Sequence, residues 1–162
     1  MTTKSVARCG MLTALAMIFG YVEALIPFPV GIPGMKLGLP NIIIVLALYT
    51  LPVYQAFLIQ MMRIVLTAFL FGNLSMMLYS LAGGLFSLLV MVLLKKKEWL
   101  SIAGVSIAGG VSHNIGQLAV AVLVVQNLKI AFYLPSLLIA GLVTGGLIGM
   151  LVYKIKPLIP KF

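Results

Sequence analysis

Long apolar runs alternate with short polar interruptions along this chain. The runs cover residues 6–26, 41–51, 54–71, 76–94, 101–126 and 134–153. At about 1.5 Å of rise per residue, a helix of about 20 residues spans a hydrocarbon core of roughly 30 Å. Five of the runs come close to or exceed that length, whereas 41–51 rises only about 16 Å. The breaks have local causes. Pro27 ends the first run, Pro40 suits the first position of the second helix, and Pro52 opens the next break. Gly72-Asn73 ends the third, and Lys95-Lys96-Lys97-Glu98-Trp99 forms a cationic and aromatic membrane boundary after the fourth. The pattern predicts a single all-α integral membrane domain over 1–162, with six transmembrane helices. The basic, apolar N-terminal stretch has no convincing cleavage site and is expected to remain as the first helix.

The main interruption is Gly20–Ile42. It holds Pro27, Pro29, Pro33 and Pro40, with Glu23 and Lys36 as its ionised side chains. Such a segment cannot continue a helix. A polar, kinked loop between apolar segments is where a membrane protein would place a lid over a binding site.

Composition sharpens this picture. Hydrophobic residues make up 63% of the 162 positions and charged residues 8%. Soluble domains have about 45–50% and about 25%, so too little polar surface exists here to cover a water-soluble fold. The net charge of +9 does not point to nucleic acid, because the basic residues sit between apolar runs and read as orientation signals. Six crossings place Lys4, Arg8, Lys95, Lys96, Lys97, Lys154, Lys156 and Lys161 on one side, against Lys36 and Lys129 on the other. If 41–51 does not cross, Lys4, Arg8 and Lys129 oppose the other seven. The positive-inside rule favours six crossings, both termini cytoplasmic and the Gly20–Ile42 loop outside. A kink at Pro52, or a short second helix shielded by its neighbours, would reconcile the length of 41–51.

Polar residues inside the apolar runs are the candidates for function. Arg63 lies mid-helix, where a charge costs at least about 2.5–3.5 kcal/mol, and Gln60 and Thr67 share its face. It reads either as half of a structural ion pair with Glu23 or as an anion-binding residue. Ser106, Gly110, His113 and Gln117 form a polar stripe on the fifth run, with Asn114 alongside. A lining for an interior cavity is the expected role. The candidate substrate-binding set is Glu23, Lys36, Asn41, Arg63, His113, Asn114 and Gln117. An excess of cation at the middle and outer levels (Lys36, Arg63 and Lys129 against Glu23) favours an anionic ligand.

Small residues mark close-packing faces: Gly10, Ala14, Ala16 and Gly20 on the first run, and Gly141, Gly145 and Gly149 on the sixth. These faces suit either packing within the chain or docking of another membrane subunit. Much chemistry is unsupported. The acids are Glu23 and Glu98 alone, about 75 residues apart, and Cys9 is the single cysteine. Neither a metal cluster, a paired-carboxylate site, a disulfide within the chain nor a P-loop can be assembled. No cofactor and no catalytic residue is expected.

Three stretches carry a resemblance. They are LTALAMIFGYVEALIPFPVGIPGMKLGLPNI followed by ALY, then RIVLTAFLFGN, then SHNIGQ at 112–117. The chain resembles the Gx transporter family, which also carries the name heptaprenyl diphosphate synthase component I. That family is similar in size and topology to the S components of energy-coupling factor (ECF) transporters. The resemblance implies an S-component-like six-helix bundle in the bacterial cell membrane, surrounded by lipid. It would bind a small molecule on its outer side and dock onto a T subunit driven by two ATPases. The ligand would be an anion or an amphipathic isoprenoid or quinone-related compound. The alternative is a non-catalytic membrane component of a prenyl-diphosphate or quinone pathway.

Overall fold

A computed structural model describes residues 2–25 and 38–159. Its helices are α1 (Thr3–Leu25), α2 (Leu39–Thr50), α3 (Val53–Phe71), α4 (Leu74–Lys97), α5 (Ile102–Val125) and α6 (Leu134–Ile155). A 3₁₀ turn at Leu128–Tyr133 leads into α6, and another at Lys156–Leu158 follows it. The punctuation residues act as their chemistry requires. Gly72 ends α3 and Asn73 starts α4, its Oδ1 accepting the Met76 N–H at 2.8 Å. Ser101 Oγ accepts the Gly104 N–H at 3.3 Å at the start of α5. The lysine run, expected as a boundary after 94, instead continues α4 to Lys97, because lysine is a good helix former and is favoured at a helix C-terminus.

Contacts along the chain show which helix ends lie together. Gln55 Nε2 donates to Ser5 Oγ at 2.8 Å, joining the starts of α1 and α3. Lys95 Nζ donates to Leu48 O, joining the ends of α2 and α4. Lys156, just past α6, stands with Lys95 over the Tyr49 ring, at 5.4 and 5.1 Å. Ala103 at the start of α5 packs where a Cβ on Gly149 near the end of α6 would fall. Successive helices therefore run in opposite directions. One end of the bundle collects Lys4, Arg8, Lys95, Lys96, Lys97, Lys154 and Lys156. Lys161 lies outside the described residues.

Five of these helical segments are long and apolar enough to cross a membrane, and α2 is shorter. Burial explains how α2 is accommodated. Ile43, Ile44, Val45, Ala47 and Leu48 are all at most 2% exposed, and all of these but Ile43 pack in one cluster with Ala56, Ile59, Leu88, Met91, Val105, Ile148 and Val152. Neighbouring helices enclose α2, so its length need not match a hydrocarbon core. Large apolar side chains such as Ile18, Phe69, Leu89, Leu123, Val143 and Leu147 point outward instead. A skin of that kind suits lipid and far exceeds the exposed apolar patches of soluble proteins. The chain is a multi-pass helical membrane protein.

The glycine face of α6 has a different use from docking. A Cβ on Gly141 would lie 2.9 Å from Gly110 backbone, and one on Gly145 would lie 2.7 Å from Ser106 O. Gly141, Gly145 and Gly149 are all buried against α5 and are not open to another subunit. On α1, Ala16 is buried and Gly20 meets Pro40, whereas Gly10 and Ala14 stay exposed.

Lys95 closes the C-terminal end of α2 by donating to its orphan carbonyl. Replacing Lys95 with Met removes that bond and a cation–π contact, worth about 1 kcal/mol together after allowance for its partial exposure. The thermal midpoint in detergent is expected to fall by roughly 2–4 °C. An unchanged midpoint would show that the cap contributes nothing.

Candidate functional site

A cavity of about 140 Å³ opens within the bundle, toward the end opposite the lysines. Its lining comes from every helix: Glu23 of α1, Asn41 of α2, Arg63 and Thr67 of α3, Ser80 of α4, His113, Asn114 and Gln117 of α5, and Thr144 of α6. A buried water needs at least about 10–15 Å³, so this space holds a cluster of waters or a small organic molecule. Six residues expected at the site, Glu23, Asn41, Arg63, His113, Asn114 and Gln117, meet here from four helices. Lys36 lies outside the described residues, as does most of the expected lid. Only its flanks at 20–25 and 38–42 are described.

A hydrogen bond joins the flanks. Glu23 Oε1 accepts the Gly38 N–H at 2.5 Å, linking the last turn of α1 to the start of α2. Gly38 has φ +76°, a left-handed conformation that suits glycine. Asn41 sits directly behind it, its Nδ2 being 3.2 Å from where a Gly38 Cβ would lie.

Arg63 stands near the midpoint of α3. Its Nη2 donates to Gln60 Oε1 at 3.0 Å. Gln60 is only 1% exposed and occupies the space left by Gly84 of α4, so it acts as a fixed bracket for the guanidinium. The carboxylate of Glu23 attracts Arg63 through space. Two donors on the Arg63 face are buried without a hydrogen-bond partner among the described residues, Arg63 Nε and Thr67 Oγ1.

On α5 the polar stripe divides. Gly110, His113, Asn114 and Gln117 reach the cavity, whereas Ser106 is 3% exposed and packs against the α6 glycines. The close approach of α4 makes this possible. A Cβ on Gly83 would lie 2.8 Å from His113 O and 2.7 Å from Gln117 Cγ. Asn114 also holds α6 in place, its Nδ2 donating to Leu137 O at 2.7 Å.

Ser80 and Thr144 line the cavity without having drawn notice in the sequence. Hydroxyls are common in membrane helices because they can bond to their own backbone, as Thr144 does to Ala140 O at 2.8 Å. Thr67 was visible as a neighbour of Arg63 but not as a lining residue. Lys129 is exposed in the turn before α6 and does not line the cavity. The charged side chains lining it, among the described residues, are Arg63 and Glu23. The second acid, Glu98, caps α4 at the lysine end, so the two carboxylates stand at opposite ends of the bundle. This arrangement can bind and orient a polar molecule through one guanidinium, side-chain amides, an imidazole and hydroxyls.

Residues 12–155 match the family described as heptaprenyl diphosphate synthase component I, and the chain belongs to that family. No curated protein and no solved structure matches it.

Proposed function

We propose that this member of the heptaprenyl diphosphate synthase component I family is a substrate-binding membrane subunit of a transporter, working in the manner of an ECF S component. It captures a small anionic molecule in the Arg63 cavity. The observation that carries this reading is a mid-helix arginine, held by Gln60, with its Nε unpartnered among the described residues and beside a cavity lined by polar side chains from six helices. A charge at that depth is expensive unless it has a task. The positive-inside rule puts the lysine end in the cytoplasm of a cell membrane and turns the cavity outward. A T subunit with two ATPases would supply the energy, and the exposed Gly10 and Ala14 on α1 are the small-residue surface left for docking it.

Native mass spectrometry of the purified full chain tests this. The wild type is expected to retain a small molecule, and Arg63→Ala and His113→Ala to lose it while still eluting as a single folded species. Undiminished retention by both variants would overturn the site.

The family description favours a second reading, a non-catalytic membrane partner of a prenyl-diphosphate synthase. Co-purification with a soluble synthase, in place of a T subunit and ATPases, would select it.

A further inference from the structure

Thr67 behaves differently from three other hydroxyls in the bundle. Thr50, Ser112 and Thr144 each donate to the carbonyl four residues back, at 2.8, 2.6 and 2.8 Å. That bond is the usual way for a hydroxyl to be satisfied in a helix. Thr67 Oγ1 makes no such bond to Arg63 O, nor any other among the described residues, and solvent does not reach it. One turn earlier, Arg63 Nε is in the same condition. Both residues line the cavity. Two buried donors, one turn apart on one helix face, therefore lack an acceptor among the described residues. An interior donor without a partner is destabilising, so an acceptor that arrives there gains more than it would at a satisfied site.

The charge around the cavity limits what that acceptor can be. Arg63 and Glu23 already balance each other among the described lining residues. A phosphomonoester brings a charge of about −1.5 to −2 at neutral pH, and the lining has no second described cation to meet it. A carboxylate brings a single charge. Its two coplanar oxygens match the side of a guanidinium, where paired N–H···O bonds form. Gln60 accepts from Nη2, and Nε is the donor left without a partner among the described residues. The Thr67 hydroxyl, one turn along the same helix face and bordering the same cavity, is a second donor for those oxygens.

We infer that the site takes a small monocarboxylate, received by the Nε donor of Arg63 and the hydroxyl of Thr67. This rests on the binding function proposed above and names its ligand class.

The test uses the purified full chain in detergent, titrated calorimetrically with sodium propionate, with sodium phosphate at equal ionic strength as control. Propionate is expected to bind the wild type and to raise its thermal midpoint, and phosphate to do neither. Thr67→Val, which keeps the shape and removes the hydroxyl, is expected to weaken propionate roughly tenfold. In the same variant the midpoint without propionate should rise by roughly 2–4 °C, because an unpaired buried hydroxyl is gone. Binding and stability thus move in opposite directions, which a purely structural role for Thr67 would not produce. Thr67→Ser should bind propionate about as well as the wild type. Unchanged propionate binding by Thr67→Val, equal stabilisation by phosphate, or no propionate binding by the wild type would each overturn the inference. Arg63-dependent retention of some other molecule would then still uphold the binding function.

Discussion

Gly145→Val should leave little correctly folded protein. A Cβ at Gly145 falls 2.7 Å from Ser106 O and 2.8 Å from Ile107 Cα. Both are backbone atoms, so no side-chain rotation can make room. Gly141 and Gly149 repeat the same contact one turn to either side, at 2.9 Å from Gly110 backbone and 2.5 Å from Ala103 Cα. Between membrane helices, association depends on van der Waals packing of this kind, since lipid tails are as apolar as the side chains. Overpacking typically costs about 1–3 kcal/mol. A branched side chain wedged between two backbones belongs at or above the top of that range, equivalent to a fall in midpoint of at least roughly 6–12 °C. The neighbouring Gly146 supplies the control. Its Cβ would meet only the Ile107 side chain, at 3.8 Å, and Gly146→Val is expected to stay within about 1 kcal/mol of wild type. Size-exclusion profiles and thermal midpoints of the two variants decide the matter. Equal behaviour would mean that α5 and α6 do not approach as closely as described. The site depends on this contact too, because α5 carries His113, Asn114 and Gln117 and is tied to α6 by the Asn114–Leu137 bond.

Leu48→Ala should lower stability by about 2–5 kcal/mol, the range for a fully buried leucine that leaves a cavity. Leu48 is 0% exposed, near the end of a helix that the other helices enclose. Neither lipid nor water can reach the vacated volume. Leu147, on α6, is 58% exposed, and Leu147→Ala should change the midpoint by no more than about 2 °C, since lipid or detergent fills the gap. A Leu48→Ala midpoint equal to that of Leu147→Ala would show that α2 faces the membrane. A consequence for binding is also expected. The first turn of α2 carries Asn41, and Gly38 just before it holds Glu23, so a loosened α2 disturbs the near wall of the cavity.

How much of this could be read in advance differs from residue to residue. Arg63 and the stripe on α5 were conspicuous because a charge or a run of amides inside an apolar helix has to find partners. Helical periodicity placed Gln60 and Thr67 on the Arg63 face. Periodicity could not tell that Gln60 would bond to Arg63 while Thr67 would go unsatisfied. That difference arises from neighbours on other helices, such as Gly84 of α4, which leaves room for the Gln60 amide. Ser106 follows the same spacing as His113 and Gln117, yet it faces α6 and not the cavity. A stripe on a long helix meets more than one neighbour along its length, and one-dimensional spacing does not say where one ends and the next begins.

By itself the sequence determined the class of the protein and the number of its helices. Those follow from local facts: apolar runs of membrane length and proline and glycine breaks. The resemblance carried by its loop and Arg63 stretches also pointed to the family to which the chain belongs. Tertiary structure alone decided three things. It made α2 the enclosed centre of the bundle. It committed the α6 glycines to α5, which removed them as a docking surface. It closed six helices around a cavity and left Arg63 Nε and Thr67 Oγ1 there without acceptors among the described residues. The physical reason is common to all three. An apolar helix can face lipid or protein equally well, so which side it presents inward depends on the shapes of the helices packed against it.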